Sequence, residues 1–553
     1  MLKFALHRKW QFALCGLVFM LGQYPCLAQS GNQPPTELAG ATDQQIPPAV
    51  AKQLDALEKR IDELEAELKN RPVDQQPIAA TKVPAQSAEG ALATPSASAV
   101  SAPPAGPAAP ASQPADPEAK ASAFAQSQAM TGKHSMPFAF ADFSWLNGNS
   151  REKDSPLDSK VFTGEFRADT SYIYDFAHPI DHTLVGSSES GRTNEVQVQQ
   201  LGIGGDFHYD NVRGRLLTQF GLYSTQTPRN DATPGRGQWN LADAYRYLAE
   251  AYGGYHFDVL HGINVDAGIF MSYVGLFSYY NYDNWAYQPS YVSSNTPWFF
   301  NGVRVQIFPT EHLKIEPWLI NGWQAYGTAN GRPGFGMQVL WRPNGKLEIL
   351  GNQYAVGRDT IGAPFRTRFH TDDSIEYKYY DNPLRFLDKS AFSVTLDLGC
   401  ESGSGVTCLH KVKGLPKQYF LGFMVYNRWW FHKDLFGLTL GGGAIDNPGR
   451  YLVLLPPING ATAFSGTPYF TENPGDPYKA WDASSTFDYM PSQFMTFRWE
   501  FDHRGANVPY FAGTGGVTPP GGNTGAPGSL VPGFTPDLRK DENRFNIAVL
   551  VKL

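Results

Sequence analysis

The chain has 553 residues and a formal net charge of -7, with 45 Lys and Arg against 52 Asp and Glu, so no basic excess points to nucleic acid. Charged residues make up 18%, below the roughly 25% usual for soluble domains. Aromatics reach 14%, with 55 Gly and 27 Tyr, and the mean hydropathy is -0.34. That suits a large β-structure, either a soluble one or a membrane barrel in which only alternate residues meet lipid.

Lys3, Arg8 and Lys9 precede an apolar run from Trp10 to Leu21, and Cys26-Leu27-Ala28 follows. The run is too short for a spanning helix. The pattern predicts a signal peptide over residues 1–28, cut after Ala28. Tyr24-Pro25 before Cys26 argues against a lipoprotein site. No later stretch of about eighteen apolar residues follows, so an exported chain is either released or built into an outer membrane as strands.

Residues 46–71 carry a heptad seam. Val50, Leu54, Leu57, Ile61, Leu64 and Leu68 are spaced alternately four and three apart, with charges around them. Pro47-Pro48 starts the segment and Pro72 stops it. We read a short periplasmic coiled coil, with a trimer favoured although the a/d residues do not fix the number. The alternative is an amphipathic helix lying on its own barrel or on the cell wall. Residues 72–133 are rich in Ala, Pro, Ser and Gln and predict an extended linker.

From Phe138 to Leu553 aromatic-rich alternating segments recur. Short polar turns join them at Asp210-Asn211, Asp258–His261, Pro309–Glu311, Pro343–Gly345, Asp381–Pro383, Lys433-Asp434 and Pro491–Gln493. Longer Gly-, Pro- and Asn-rich stretches alternate with these turns, as at residues 225–241, 280–297 and 505–542. Short turns at one end and long loops at the other predict an all-β transmembrane barrel of about sixteen antiparallel strands in residues 138–553. Both ends of that barrel then fall on the short-turn, periplasmic side. This count requires residues 138–150 to stay in the periplasm or enter the lumen; if they form a strand, the number becomes eighteen.

Period-two alternation assigns the two faces. On the inward side it places Glu165, Arg167 and Asp169, then Arg215, Arg304, Lys314, Glu316, Lys346 and Glu348, and finally Arg498, Glu500, Asp502 and Arg504. Opposite them stand Phe162, Phe166, Leu216, Val303, Val305, Leu313, Ile315, Leu347, Ile349, Phe497, Trp499 and Phe501. A charge facing lipid at mid-depth costs about 2–4 kcal/mol, so the charged face is the lumen. Its mixed signs predict weak ion selectivity and polar, even neutral, solutes. Many of these charges can also pair across strands to hold the wall. The closing segment 543–553 alternates in the same way: Phe545, Ile547, Val549, Val551 and Leu553 oppose Arg544, Asn546, Ala548 and Lys552, with Leu550 out of pattern.

Cys15 and Cys26 leave with the signal peptide, whereas Cys400 and Cys408 flank a short loop and predict a local disulfide in an oxidising compartment. Two thiols without nearby partners do not complete a metal site. Gly399-Cys400-Glu401-Ser402-Gly403 only approximates a nucleophile elbow and lacks its strand-turn-helix context. The Gly run 513–528 lacks the Lys of a phosphate loop. No enzyme activity, cofactor or metal is implied.

Asp142-Phe143-Ser144-Trp145-Leu146-Asn147-Gly148-Asn149, Thr163-Gly164-Glu165-Phe166, Asp488-Tyr489-Met490-Pro491-Ser492-Gln493 and Asn507-Val508-Pro509-Tyr510-Phe511 resemble the putative beta-barrel porin-2 (OmpL-like) family of Gram-negative bacteria. The resemblance covers residues 138–553. It implies an outer-membrane barrel and a diffusion porin, and it carries no catalytic or ligand residues. The chain departs from it in ending on Leu553 where barrel chains usually end in Phe. The sequence thus predicts passive diffusion of small polar solutes through a hydrated lumen, in a homo-oligomer held by outer-membrane lipid. The competing reading is a plugged structural or adhesion barrel, whose surface loops bind a partner while the coil contacts the cell wall. Blockage by residues 505–542 and 447–478 would favour that second reading.

Overall fold

The structure is a computed structural model describing Lys59 and residues 135–231, 233 and 237–553. Apart from Lys59, the expected signal peptide, coiled coil and linker lie outside the described residues. The described residues from 135 onward form one compact unit.

Its strands begin with β1 (Phe162–Asp175), β2 (Val196–Tyr209), β3 (Val212–Thr218), β4 (Leu248–Phe257), β5 (Ile263–Met271) and β6 (Phe299–Thr310). Next come β7 (Leu313–Ile320), β8 (Gly334–Asn344), β9 (Leu347–Ala355), β10 (Thr367–Asp381), β11 (Leu387–Ser402) and β12 (Tyr419–Phe431). The last are β13 (Phe436–Asp446), β14 (Lys479–Ser492), β15 (Met495–Ala506), the short pair β16 (Phe511–Ala512) and β17 (Leu538–Arg539), and β18 (Asp541–Lys552). Each barrel strand pairs with its chain neighbours. β15 pairs with β18, and β18 returns to β1, closing a barrel of sixteen antiparallel strands. Closure runs from Arg167 opposite Lys552 to Asp175 opposite Arg544.

The seven expected turns all join consecutive strands, within a few residues of the sequence positions. The two-residue turn Asp210-Asn211 needs a left-handed residue, and Asp210 supplies it at φ 51°. Residues 138–150 contain no strand, which leaves the count at sixteen rather than eighteen.

Alternation decides which way each side chain points. On β15, Thr496, Arg498, Glu500, Asp502 and Arg504 are buried inside the barrel, whereas Phe501 is exposed on the outside. On β12, Leu421, Phe423 and Val425 are 43–49% exposed. With Ile203, Leu396, Leu440, Phe487 and Ile547 they make an exposed apolar belt around the wall. A belt of this extent in water would be an aggregation surface; facing hydrocarbon it is the stabilising face of a membrane barrel. Among the described residues no helix is long and apolar enough to cross a membrane.

Val425 lies at the middle of β12. Val425→Arg should destabilise the barrel by about 2–4 kcal/mol, measured by reversible urea unfolding in lipid vesicles.

Candidate functional site

The inward face holds protein. Residues 272–298, between β5 and β6, fold inside the barrel and are buried almost throughout, with a 3-10 turn at Asn281–Asp283 and a short helix, α1 (Tyr291–Ser294). Wall charges grip this inserted loop along its length. Arg498 ion-pairs with Asp488 at 2.7 Å and donates to the carbonyls of Asn281 (3.0 Å), Ala286 (3.1 Å) and Asn284 (2.7 Å). Glu500 accepts from the backbone amides of Tyr287 (2.5 Å) and Gln288 (2.7 Å). Asp169 accepts from Asn281 Nδ2 (3.0 Å) and Tyr287 Oη (2.9 Å). Arg167 reaches Asp283 at 3.0 Å and lies over the Tyr280 ring. Arg504 covers the Tyr291 ring at 4.1 Å and donates to the Gly186 carbonyl at 2.7 Å.

A second segment, residues 135–155, occupies the short-turn end. Arg151 donates to the carbonyls of Ser492 (3.0 Å) and Met495 (2.7 Å), and Lys552 pairs with Glu152 at 3.1 Å. Phe143 and Phe138 lie under the Arg342 guanidinium, and the Asn147 amide donates to Glu376 at 3.0 Å. The two inserts touch inside the barrel. The Trp285 amide donates to Asn147 Oδ1 at 2.7 Å, and its indole to the Trp145 carbonyl at 3.2 Å. Gly148 is required at this junction: its φ is +70°, and a Cβ would stand 2.3 Å from the Leu276 carbonyl oxygen. Trp145, Leu146, Phe277 and Trp285 continue into a buried cluster with Phe420, Met424, Tyr426 and Trp430 of β12.

Of the thirteen inward charges read from the sequence, Arg167, Asp169, Arg498, Glu500 and Arg504 hold the inserted loop directly. Glu165 pairs with Arg167 and Arg215; Arg215 also reaches Asp206 (2.8 Å) and Glu250 (2.9 Å). Arg304 pairs with Asp266 (3.0 Å), Lys314 with Glu316 (2.8 Å), and Asp502 lies 3.5 Å from Arg544. Glu348 pairs with Arg342 at 2.6 Å. Lys346 departs from the inward set: it sits exposed in the β8–β9 turn, because the strands end at Asn344 and resume at Leu347. Cys400 and Cys408 are disulfide-bonded, with Cα atoms 5.2 Å apart. Sequence reasoning missed Asp482, which accepts from the Tyr291 amide (2.9 Å), and Arg428, which donates to the Trp285 carbonyl (3.2 Å). The available signal was β12 itself, apolar on both faces where a water-facing wall would alternate.

Two cavities lined by charges of both signs bear on passage. One, of about 500 Å3, opens at the short-turn end between residues 136–155 and a wall bearing Glu165, Arg167, Arg215, Arg304 and Lys314. The other, of about 480 Å3, lies at the long-loop end beside Asp359, Arg366, Arg368 and Glu401. An aromatic cluster stands between them, running from Tyr252 at the first cavity through Phe270, Tyr273, Phe300, Trp318 and Tyr354 to Trp323 at the second. Tyr273 comes from the inserted loop; its hydroxyl donates to the Gln353 carbonyl at 2.7 Å and rests where Gly336 has no side chain.

The family described as Putative beta-barrel porin-2, OmpL-like, matches residues 166–527, well over half of the chain. The chain belongs to this family. No curated protein matches it. Among solved structures, OmpT of Vibrio cholerae is 11% identical, with 72% of this chain and 99% of that one covered at a TM-score of 0.40. The outer membrane channel DcaP of Acinetobacter baumannii is 13% identical, with 71% and 96% covered at 0.38. An anion-selective porin from Comamonas acidovorans is 8% identical, with 71% and 99% covered at 0.40. At these scores the architecture rests on the strand register above. The porin-2 match takes in β2 to β15 and the inserted loop, while residues 135–155 lie outside it.

At the long-loop end of this porin-2 barrel, Glu189 is fully buried. Burial pushes its carboxyl up to about 7, against hydrogen bonds from Ser187 and Ser188 and the charge of Arg504. The folded loop therefore prefers the neutral acid. That contribution is complete below the ordinary carboxyl value of 4.5 and is lost as pH rises through about 7.

Two outcomes follow. Amides of residues 176–195 should exchange hydrogen faster at pH 8 than at pH 5 after correction for intrinsic rates, and Glu189→Gln should remove the difference. Arg498→Met leaves three loop carbonyls without their donor and Asp488 paired with Arg428 alone, at about 1–3 kcal/mol for each buried acceptor left unsatisfied; hydrogen exchange should show residues 281–287 opening while the barrel strands stay protected.

Proposed function

We propose that this chain is an outer-membrane porin passing small polar solutes by passive diffusion, with its short-turn end and N-terminal region in the periplasm. One observation carries the reading: a closed barrel of porin-family sequence has a polar cavity at each end, both lined by balanced charges. Arg and Lys alternate with Asp and Glu in each cavity, so neither builds the single-signed ring that selects ions strongly. Solutes then travel by exchanging water for hydrogen bonds to fixed donors and acceptors. The barrier is the aromatic cluster around Tyr273, and passage requires that side chain to leave its place over Gly336 or the inserted loop to shift. Oligomerisation, with a trimer favoured through the N-terminal coil, belongs to the same reading.

The buried cluster shared by residues 143–146, the inserted loop and β12 favours a second reading, a plugged barrel whose long loops bind a partner. Planar-bilayer conductance separates the two. The refolded full chain should give small, steady steps with a reversal potential near zero under a salt gradient. Tyr273→Ala should enlarge the steps, and so should removal of residues 138–153. A correctly folded barrel that stays silent in all three forms would refute diffusion and leave the binding barrel.

A further inference from the structure

The disulfide lies on the outside of the wall. Along β11 the outward row runs Phe392, Val394, Leu396, Leu398 and Cys400, while Asp397, Gly399 and Glu401 turn inward. Cys400 stands opposite Phe369 on β10 and Tyr419 on β12, which occupy the outward rows of their own strands. It is nevertheless buried, because its bond to Cys408 draws the start of the β11–β12 loop against that outer face. The loop is closed just beyond: the Thr407 amide donates to the Pro416 carbonyl at 3.0 Å, and the Gln418 amide to the Thr407 carbonyl at 2.9 Å. Residues 409–415 project past these ties and are all exposed. Cys400 is two residues from the long-loop end of its strand, so the excursion sits where the hydrocarbon gives way to headgroups.

Its side chains are of two kinds. Leu409, Val412 and Leu415 are 38–43% exposed, and Lys411, Lys413 and Lys417 are interleaved with them. Among the described residues no carboxylate pairs with these three lysines. The acids at the neighbouring strand ends are engaged elsewhere: Glu401 meets Arg366 and Arg368 inside the barrel, each at 3.3 Å, and Asp446 accepts from Tyr419 Oη at 3.0 Å and lies 3.8 Å from Lys479. Water suits the lysines but not the three apolar side chains, and hydrocarbon the reverse. The boundary between acyl chains and anionic phosphates suits both. We propose that residues 408–417, held on the outer face by the disulfide, dock on phosphate-bearing headgroups of the outer-leaflet lipid beside β11. Leu409, Val412 and Leu415 enter the acyl boundary, and Lys411, Lys413 and Lys417 bind phosphate oxygens. The inference rests on the membrane orientation proposed above and is independent of conduction.

The test is hydrogen exchange of the full chain, refolded into vesicles of phosphatidylcholine alone or of phosphatidylcholine mixed with anionic phosphatidylglycerol. Amides of residues 409–417 should exchange severalfold more slowly in the anionic vesicles. Lys411→Gln, Lys413→Gln and Lys417→Gln together should abolish the difference, and Lys→Arg at the same three positions should keep it. Inorganic phosphate added to the phosphatidylcholine vesicles should slow nothing. Equal exchange in both vesicles, slowing that survives the three Gln substitutions, or slowing by inorganic phosphate alone overturns the proposal. Protection of β10, β11 and β12 is read in the same experiment. Protected strands with no lipid effect on the loop remove the docking surface and leave the porin reading standing, whereas unprotected strands overturn the membrane reading and the docking with it.

Discussion

The pairing of β1 with β18 is the contact on which the other features depend. A sheet with two free edges leaves a row of unpaired amides and carbonyls on each, and hydrocarbon offers them nothing. Joining the first barrel strand to the last, from Arg167–Lys552 to Asp175–Arg544, removes both edges at once. It also gives every strand an inside and an outside. Period-two sequence then becomes chemistry: one set of side chains meets lipid, and the other is confined to a space whose occupants are the wall and whatever the chain folds into it.

That confinement changes what the inward charges do. In an open pore they would be solvated and weakly coupled. Here Arg498, Glu500 and Asp169 are almost wholly buried, and each is satisfied by groups of the inserted loop. A buried charge without a partner is costly, so the loop and the wall are mutually required. The loop could not lie there without donors and acceptors for its backbone, and the wall could not be so charged without the loop. Open space is left toward the ends, where two cavities keep charges of both signs.

Much of this was legible in the sequence. The strand count, the seven turns and the sign of each face follow from alternation and turn residues, which are local properties. The contents of the lumen were not legible, because they depend on which loop turns inward. Residues 280–297 looked like any other long loop, rich in Tyr, Asn, Ser and Pro. The traces it left were breaks in alternation elsewhere. Leu550, the misfit of the last strand, packs with Ile173, Tyr282 and Tyr287 under the inserted loop. The two-sided apolar β12 carries the same message. Lys346 was misplaced because a parity count runs on through a tight turn where the chain has already left the wall.

The meeting of Asn147 with Trp285 has a consequence for assembly order. Residues 135–155 precede β1 in the chain, yet they end up inside a cylinder sealed by its final strand. The inserted loop is tethered at both ends by β5 and β6 and reaches its place from the long-loop side. The N-terminal segment is tethered at one end only and can enter the short-turn mouth afterwards. Its docking surface, Trp285 included, exists only once the loop has settled. The stopper's seat therefore depends on the loop, and its docking reports on whether the interior was built correctly.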